Sequence, residues 1–166
     1  MKLIIASVIV LFGVIFFLFA LFPSAMSVSR VARINAPRDS VYQEISNLGT
    51  WRKWNELIRR SRNGDTRKTL SDLSDSNRLK NGNLTVYLVK KTADSVITQW
   101  QDSSGRSFLG TYIVTEVNGQ VILQWNLDFH VRWYPWEKLA SMFYDKQLGP
   151  IMEQSLLNLR KALEPA

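Results

Sequence analysis

The 166-residue chain contains no cysteine and only one histidine, His130. The absence of cysteine excludes disulfide scaffolds, thiolate metal sites and cysteine nucleophiles. Because histidine is the usual protein ligand of zinc, copper and haem iron, a metal site would depend on carboxylates alone. We therefore predict no metal and no cofactor. The sequence also lacks repeats and low-complexity tracts, and it shows no Ser/His/Asp or paired-carboxylate signature.

Hydrophobic residues are concentrated near the start of the chain, where 18 of the 20 residues at positions 3–22 are apolar and no charge occurs between Lys2 and Arg30. A helix of this length rises about 30 Å, the thickness of the hydrocarbon core of a bilayer. We predict a single transmembrane anchor over residues 1–27. A cleavable signal peptide is the alternative, because Ala-Met-Ser at 25–27 resembles a cleavage site, although signal peptides have shorter apolar cores.

The charges that flank this segment do not determine on which side of the membrane the rest of the chain lies. Lys2 precedes it, and Arg30, Arg33 and Arg38 follow it. The positive-inside rule would place the rest of the chain in the cytoplasm, but long domains are translocated regardless of their charge. We therefore predict a single-pass protein of the cell membrane, with the side and the oligomeric state undecided.

Residues 28–166 have the size of one domain. A helix is predicted after Pro37, and a short helix at residues 50–57 places Trp51 and Trp54 on one face, where they serve either the core or a ligand. A C-terminal helix is predicted over residues 137–164, kinked or divided at Gly149-Pro150. The predicted strands lie at residues 28–35, 67–73, 84–92, 95–101, 106–117 and 120–133.

The last of these strands has the clearest pattern in the sequence. Every odd position from Val121 to Trp133 is apolar, and all even positions except Ile122 are polar. This alternation predicts an antiparallel strand with one face toward a core or cavity and the other toward water. Asp128 and His130 would then lie on the outer face, away from any pocket.

The sequence resembles the bacterial polyketide cyclase/dehydrase and lipid-transport family of the START-like, or SRPBCC, superfamily. Its residues 48–54 are similar to the family's D-x-x-x-W-x-x-W stretch, with Asn47 where aspartate is common. The resemblance implies an α+β helix-grip fold over residues 28–164, in which a curved antiparallel sheet wraps around a long C-terminal helix. The other stretches that carry it are Arg33-Ile34-Asn35-Ala36-Pro37, Val41-Tyr42 with Ile45, and residues 149–159.

The resemblance also implies a cavity between sheet and helix, and hence a binding or transport module for a hydrophobic small molecule such as a lipid, quinone or polyketide-like compound. One alternative is a cyclase or dehydratase, for which Tyr87, Tyr112 and Glu116 are candidate proton donors or acceptors, with no catalytic residue assigned. Another is an interaction domain with a filled core. The candidate cavity residues, each of which could equally be core, are Trp100, Trp125, Phe129, Met142, Phe143 and Met152.

The chain has a formal net charge of +7, and residues 52–68 contain seven basic and two acidic residues. Basic residues beside tryptophans are also found in nucleic-acid-binding proteins. For a chain tethered to a bilayer, acidic lipid headgroups are a nearer partner, so we predict membrane contact and no nucleic acid. A solvated basic surface is the alternative. The candidate membrane-surface residues are Arg52, Lys53, Arg59, Arg60 and Arg62.

Overall fold

The computed structural model describes residues 2–20, 25–61, 77–130, 134, 137 and 143–164. Its helices are α1 (Lys2–Ala20), α2 (Arg38–Ser46), α3 (Trp51–Trp54), α4 (Glu56–Arg60) and α5 (Tyr144–Leu163). Its strands are β1 (Ala25–Ile34), β2 (Arg78–Asn81), β3 (Leu84–Lys91), β4 (Ser95–Asp102), β5 (Ser107–Val117) and β6 (Gln120–His130). The strand predicted at residues 67–73 lies outside the described residues.

The apolar N-terminal sequence forms α1, and its side chains from Ile4 to Phe17 are exposed. The predicted membrane segment, residues 3–22, extends past α1 into residues 21–24, which are outside the described ranges. Within those ranges, no helix has the length and apolar content needed to cross a bilayer.

The six strands form one antiparallel sheet in the order β1-β6-β5-β4-β3-β2. Because β1 pairs with β6, the first and last strands are neighbours. The register defines two ends of this sheet. The end we call the Ala25 end holds Ala25, Asn81, Leu84, Asp102, Ser107 and His130, and the opposite, Ile34 end holds Ile34, Lys91, Ser95, Val117 and Gln120.

The alternation predicted for the last strand is present in β6. Val121, Leu123, Trp125 and Leu127 are buried, and Phe129 is half-buried. The intervening side chains from Ile122 to Asp128 are half-buried, and His130 is exposed. The inner face of β6 therefore packs into the domain core, as the hydrophobic pattern predicts.

The C-terminal segment is one continuous helix, α5, with Pro150 inside it. At its start, the Tyr144 ring lies 5.0 Å from the ring of Phe129, at the Ala25 end. At its other end, Glu164 Oε1 accepts a hydrogen bond of 2.8 Å from the backbone N–H of Asn35. Helix α5 thus runs along the sheet from one end to the other. Helix α5 begins at Tyr144. Glu137, the predicted start, is also helical, and residues 138–142 lie outside the described part of the chain.

The second predicted helix is divided into α3 and α4 at Asn55. The side chain of this buried residue accepts hydrogen bonds from the backbone N–H groups of Leu57 and Ile58, at 3.1 and 3.2 Å. Asparagine is a favoured N-cap because it satisfies these otherwise unpaired donors. The cap turns the chain so that α4 packs against α5, where Ser155 Oγ accepts a 2.8 Å hydrogen bond from the N–H of Glu56.

Candidate functional site

A cluster of eight aromatic side chains fills the described space between the sheet and the helices. Five of them are almost fully inaccessible to solvent, and the others are half-buried. The rings belong to α3, three adjacent strands and α5, so the tertiary fold brings them together from distant parts of the sequence. We call this group the aromatic cluster; its members are Trp51, Trp54, Trp100, Phe108, Tyr112, Trp125, Phe129 and Tyr144.

The cluster is continuous from the interior to the Ala25 end. Tyr112 lies at its centre, with ring centroids 5.1 Å from Trp51 and 5.1 Å from Trp125, the latter nearly parallel at 17°. Trp100 connects Trp125 to Phe108 through stacked contacts of 6.2 and 5.8 Å. Phe108 then contacts Phe129 at 4.7 Å, and Phe129 contacts Tyr144. The cluster therefore reaches partly exposed residues at one end of the sheet.

The indole of Trp100 is held in place by a small polar chain. Its Nε1 donates to Thr98 Oγ1 at 3.0 Å, and that hydroxyl donates to the Gly110 carbonyl at 2.9 Å. A side chain at position 110 would collide with Trp100 Nε1 and would lie 2.8 Å from Thr98 Oγ1. Glycine is therefore needed on β5 because the indole packs directly on the backbone.

Two other tryptophans of the cluster have no such partner. Nε1 of Trp54 and Nε1 of Trp125 are buried, and neither has a hydrogen-bond acceptor among the described residues. Both rings contact Tyr112, at 6.3 and 5.1 Å between centroids. A buried donor without an acceptor costs about 1–3 kcal/mol. These two N–H groups can therefore donate to an oxygen atom of a ligand placed in the cluster.

Tyr112 supplies the third polar group in this region. Asn55 Nδ2 donates to its hydroxyl oxygen at 3.3 Å, and the orientation of the amide is fixed because Asn55 Oδ1 caps α4. Complete burial raises the pKa of Tyr112 well above its usual value, and the hydrogen bond from Asn55 offsets this only in part. The group is thus a neutral phenol at physiological pH that can donate a hydrogen bond but neither acts as a base nor readily releases its proton.

The remaining polar candidates lie outside the core. Tyr87 is half-buried, with the guanidinium of Arg78 5.5 Å from its ring centroid. Glu116 and His130 are exposed, and Asp128 is half-exposed on the outer side of β6. Of these candidates for acid–base chemistry, the fold brings only Tyr112 into the interior. Within the described ranges no three metal-ligating side chains come together.

The candidate cavity residues differ in how deeply they are buried. Trp100, Trp125 and Met152 are completely buried, and Phe129 is half-buried within the same cluster. Phe143 precedes α5 and is 54% exposed. Met142 lies outside the described residues. The structure therefore brings Trp100, Trp125 and Phe129 into one aromatic cluster and places Phe143 on the surface.

Sequence reasoning missed Arg30, which lies on the inward face of β1 between Val28 and Ala32. Its Nη1 donates to Asp145 Oδ1 at 2.9 Å and its Nε to Glu153 Oε1 at 2.7 Å. The hydrogen bond to Asp145 raises the pKa of Arg30, partial burial lowers it, and the bond to Glu153 adds to the increase. Arg30 thus fixes the first half of α5 against β1. A charged residue on an otherwise apolar strand face was the only sequence signal for it.

The predicted basic surface forms part of a larger one. Arg59 and Arg60 are exposed at the end of α4, and both form ion pairs with Glu56, at 3.1 and 3.3 Å. Arg52 donates to the Lys80 carbonyl at 3.1 Å, which places α3 beside β2. Lys53 is also exposed, and Arg62 lies outside the described residues. The tertiary fold therefore adds the exposed Arg78 and Lys80 of β2 to the predicted residues.

A separate groove of about 270 Å³ lies between β1 and α5. Its walls include the exposed Val31 and Leu157 and the charged Arg33 and Arg160. This volume is just below the usual range of small-molecule sites, about 300–1,000 Å³. The groove is at the edge of the sheet and does not include the aromatic cluster.

Residues 25–164 match the family model described as polyketide cyclase / dehydrase and lipid transport. The chain belongs to this family. Family membership agrees with the predicted resemblance, and the six-stranded antiparallel sheet with its C-terminal helix agrees with the predicted helix-grip fold. Among curated proteins, no match to the chain was found.

Solved structures of the START superfamily resemble this family member. DynU16, from the dynemicin biosynthetic locus, is 14% identical with a TM-score of 0.59; the match covers 82% of this chain but only 46% of DynU16. CalU16 from Micromonospora echinospora is 13% identical over 86% of this chain and 78% of its own, with a TM-score of 0.56. A START superfamily protein from Mycobacterium smegmatis is 15% identical over 82% of this chain and 96% of its own, with a TM-score of 0.57. At these identities the likeness shows a shared fold.

Proposed function

We propose that this protein binds a hydrophobic small molecule, such as a lipid, an isoprenoid quinone or a polyketide-like compound, between the sheet and α5. The observation that carries the proposal is the aromatic cluster, which extends from the buried Trp51 to the half-buried Tyr144 at the Ala25 end. A ligand that replaces some of these ring contacts keeps its own apolar surface out of water. The family's description includes lipid transport, which supports the same ligand class.

The unpaired indole groups of Trp54 and Trp125 refine this proposal. Both are buried donors next to Tyr112. A ligand with a carbonyl, ester or quinone oxygen at this position would provide the missing acceptor, whereas a pure hydrocarbon would leave the donors unpaired. We therefore favour an apolar ligand that carries at least one oxygen acceptor.

Native mass spectrometry of the full chain, purified in lipid nanodiscs, tests the proposal. We expect a co-purifying small molecule and quenching of tryptophan fluorescence when an isoprenoid quinone is added. Phe129→Asp, which places a charge where the cluster reaches the surface, should lower both signals. Gln120→Asp is the matched control because Gln120 is exposed on the same strand. Protein with no bound molecule and no quenching by any compound of this class would contradict the proposal.

A second candidate function is an enzyme of the cyclase or dehydratase type, acting in the same place. The observation that favours it is Tyr112, a fully buried phenol that accepts from Asn55 and keeps its own proton. In such a reaction Tyr112 would donate a hydrogen bond to a substrate oxygen and stabilise the negative charge that develops there. Tyr112→Phe distinguishes the two functions: it would abolish turnover of a substrate by an enzyme, while a binding protein would retain its ligand with reduced affinity.

We also propose that residues 3–22 anchor the chain in the cell membrane. The support is the apolar sequence and the exposure of every described side chain from Ile4 to Phe17, since such a surface is unfavourable in water. Resistance of the protein to extraction by alkaline carbonate, with an intact N-terminus by mass spectrometry, tests an anchor against a cleaved signal peptide. Protease protection in intact spheroplasts assigns the side of the membrane.

Acidic lipid headgroups are the proposed partner of the basic surface on α3 and α4. Basic residues close to a membrane each gain roughly 1 kcal/mol from acidic lipids. Because Arg59 and Arg60 share the carboxylate of Glu56, only part of their charge is neutralised within the protein. Charge reversal at Lys53 and Arg59 should weaken contact with acidic vesicles and leave contact with neutral vesicles unchanged.

A further inference from the structure

The Ala25 end of the sheet exposes an aromatic side chain. Helix α5 begins there, because Tyr144 contacts Phe129 and Phe129 pairs with Met26 near the start of β1. The preceding residue, Phe143, is 54% exposed. An exposed phenylalanine beside the half-buried mouth of the aromatic cluster is costly in water and favourable in the interfacial layer of a bilayer.

The end of α4 lies at the same end of the sheet. Asn81 Nδ2 donates to the Ile58 carbonyl at 2.6 Å, and Ser61 Oγ donates to the Asn81 carbonyl at 2.9 Å. Asn81 is the last residue of β2 and belongs to the Ala25 end. The basic residues around this contact therefore lie at the same end of the sheet as Phe143.

Exposed positive charge accompanies the aromatic residue. Arg59 and Arg60 end α4, Lys80 precedes Asn81, and Lys146 lies in the first turn of α5. Acidic residues occur at both ends: Asp102 and Asp145 at the Ala25 end, and Asp94 and Glu116 beside the exposed Lys90 and Lys91 at the Ile34 end. The exposed aromatic ring is therefore what distinguishes the Ala25 end. Only the Ala25 end combines exposed basic residues with an exposed aromatic ring within the described residues.

The connection to α1 reaches this same end. Helix α1 ends at Ala20 and β1 begins at Ala25, five residues later. Five residues span at most about 17 Å even when fully extended. If residues 3–22 lie in a bilayer, the Ala25 end must therefore be close to its surface, whichever side the domain occupies.

We infer that the Ala25 end rests on an acidic phospholipid bilayer, with Phe143 in the interfacial layer and Arg59, Arg60 and Lys80 against the headgroups. This inference rests on the proposed anchoring of residues 3–22. Its consequence is that the aromatic cluster reaches the surface, at Phe129 and Tyr144, on the side of the domain that faces lipid. A hydrophobic ligand then exchanges between cluster and bilayer without crossing water.

The absence of cysteine makes a direct test possible, because a single introduced cysteine carries the only thiol label. Ser103→Cys, in the β4–β5 turn, marks the Ala25 end, and Gln120→Cys marks the Ile34 end; both residues are exposed. The full chain is reconstituted in phosphatidylcholine vesicles containing phosphatidylglycerol and nitroxide-headgroup lipid. We expect several-fold stronger fluorescence quenching at position 103 than at position 120. Equal quenching, the reverse order, or no quenching at either position would overturn the inference.

A second comparison tests the role of Phe143. Phe143→Ser should reduce quenching of the label at position 103 several-fold, whereas Leu157→Ser, at an exposed apolar residue elsewhere on α5, should leave it unchanged. An equal effect of the two substitutions would contradict the inference. No small molecule is added, so a protein that fails to bind a ligand can still show the expected orientation. Conversely, if the protein binds a ligand but the label at position 120 is quenched more than the label at position 103, the inferred orientation is contradicted and the proposed ligand binding is not.

Discussion

The guanidinium of Arg30 occupies the space beside α5 that a side chain at position 149 would fill. Asp145 and Glu153 lie four residues to either side of Gly149 on the same helix face and bind this guanidinium from both directions. Gly149 is therefore explained by the close approach of Arg30 and not by its backbone conformation. The ion pairs of Arg30 with Asp145 and Glu153 fix the position of the first half of α5 on β1.

Gly149→Ala tests this relationship in two backgrounds. Alanine is ordinarily about 1 kcal/mol more favourable than glycine inside a helix. In the wild type we expect this gain to be lost or reversed, because the added Cβ displaces Arg30 from two partly exposed ion pairs, each worth up to about 1 kcal/mol. In an Arg30→Ala background the same substitution should stabilise the protein by about 1 kcal/mol. Urea unfolding measures both, and identical effects in the two backgrounds would exclude the proposed coupling.

Trp100 and Trp125 allow a matched comparison, since both are fully buried and only Trp100 has a hydrogen-bond partner. Replacing either tryptophan with phenylalanine removes a similar side-chain volume from the core. We expect Trp100→Phe to lower the free energy of unfolding by about 1 kcal/mol more than Trp125→Phe, because it also removes the hydrogen bond to Thr98. Chemical denaturation of the two variants in ligand-free protein measures the difference. A larger cost at position 125 would show that its indole N–H is paired.

Gly110→Ala should destabilise the protein by about 1–3 kcal/mol, the usual cost of overpacking a core. The new Cβ would meet Trp100 and Thr98, and both of these fully buried side chains would have to shift to accommodate it. Ser107→Ala, at an exposed position of the same strand, is the control and should change stability by no more than about 0.5 kcal/mol. Thermal or urea unfolding with equal effects for the two variants would argue against this packing.

Tyr112 should make the stability of the protein depend on alkaline pH. Burial raises its pKa in the folded state, so above pH of about 10 the unfolded chain releases this proton first and stability falls as pH rises. The contribution is constant at lower pH. Tyr112→Phe removes the contribution of this phenol. Above pH of about 10, the free energy of unfolding of the variant should therefore fall less steeply with pH than that of the wild type, by at most about 1.4 kcal/mol per pH unit. Equal slopes for variant and wild type would contradict the burial of this phenol.

The strands with strong patterns could be predicted from the sequence because their side chains follow the sheet's own period. The alternation from Val121 to Leu127 assigned the inner face of β6 correctly and left His130 outside. Between β5 and β6, Asn118 and Gly119 both have positive φ, which an Asn-Gly pair in a two-residue hairpin turn favours. Such features depend on neighbours within a few residues, which the sequence displays directly.

The site could be predicted only in part because its members meet through tertiary contacts. Trp100 and Trp125 were expected in one cavity, but no local pattern could show that Tyr112 stacks between Trp51 and Trp125. Arg30 is 115 residues from Asp145. Likewise, tertiary hydrogen bonds such as those of Asn81 bring the basic residues of β2 beside those of α4.

The pairing of β1 with β6 also sets an order for folding. Strands β2 to β6 are successive hairpins and can pair as they are made, whereas Ala25 must wait for His130, about 100 residues later. At ribosomal speeds of 5–20 residues per second, β1 stays without its partner strand for roughly 5–20 seconds. The pairing of β1 with β6 and its packing against α5 therefore form late, because closing such a long loop costs much conformational entropy. Substitutions at the contact of β1 with β6 or α5 should slow folding less than they speed unfolding.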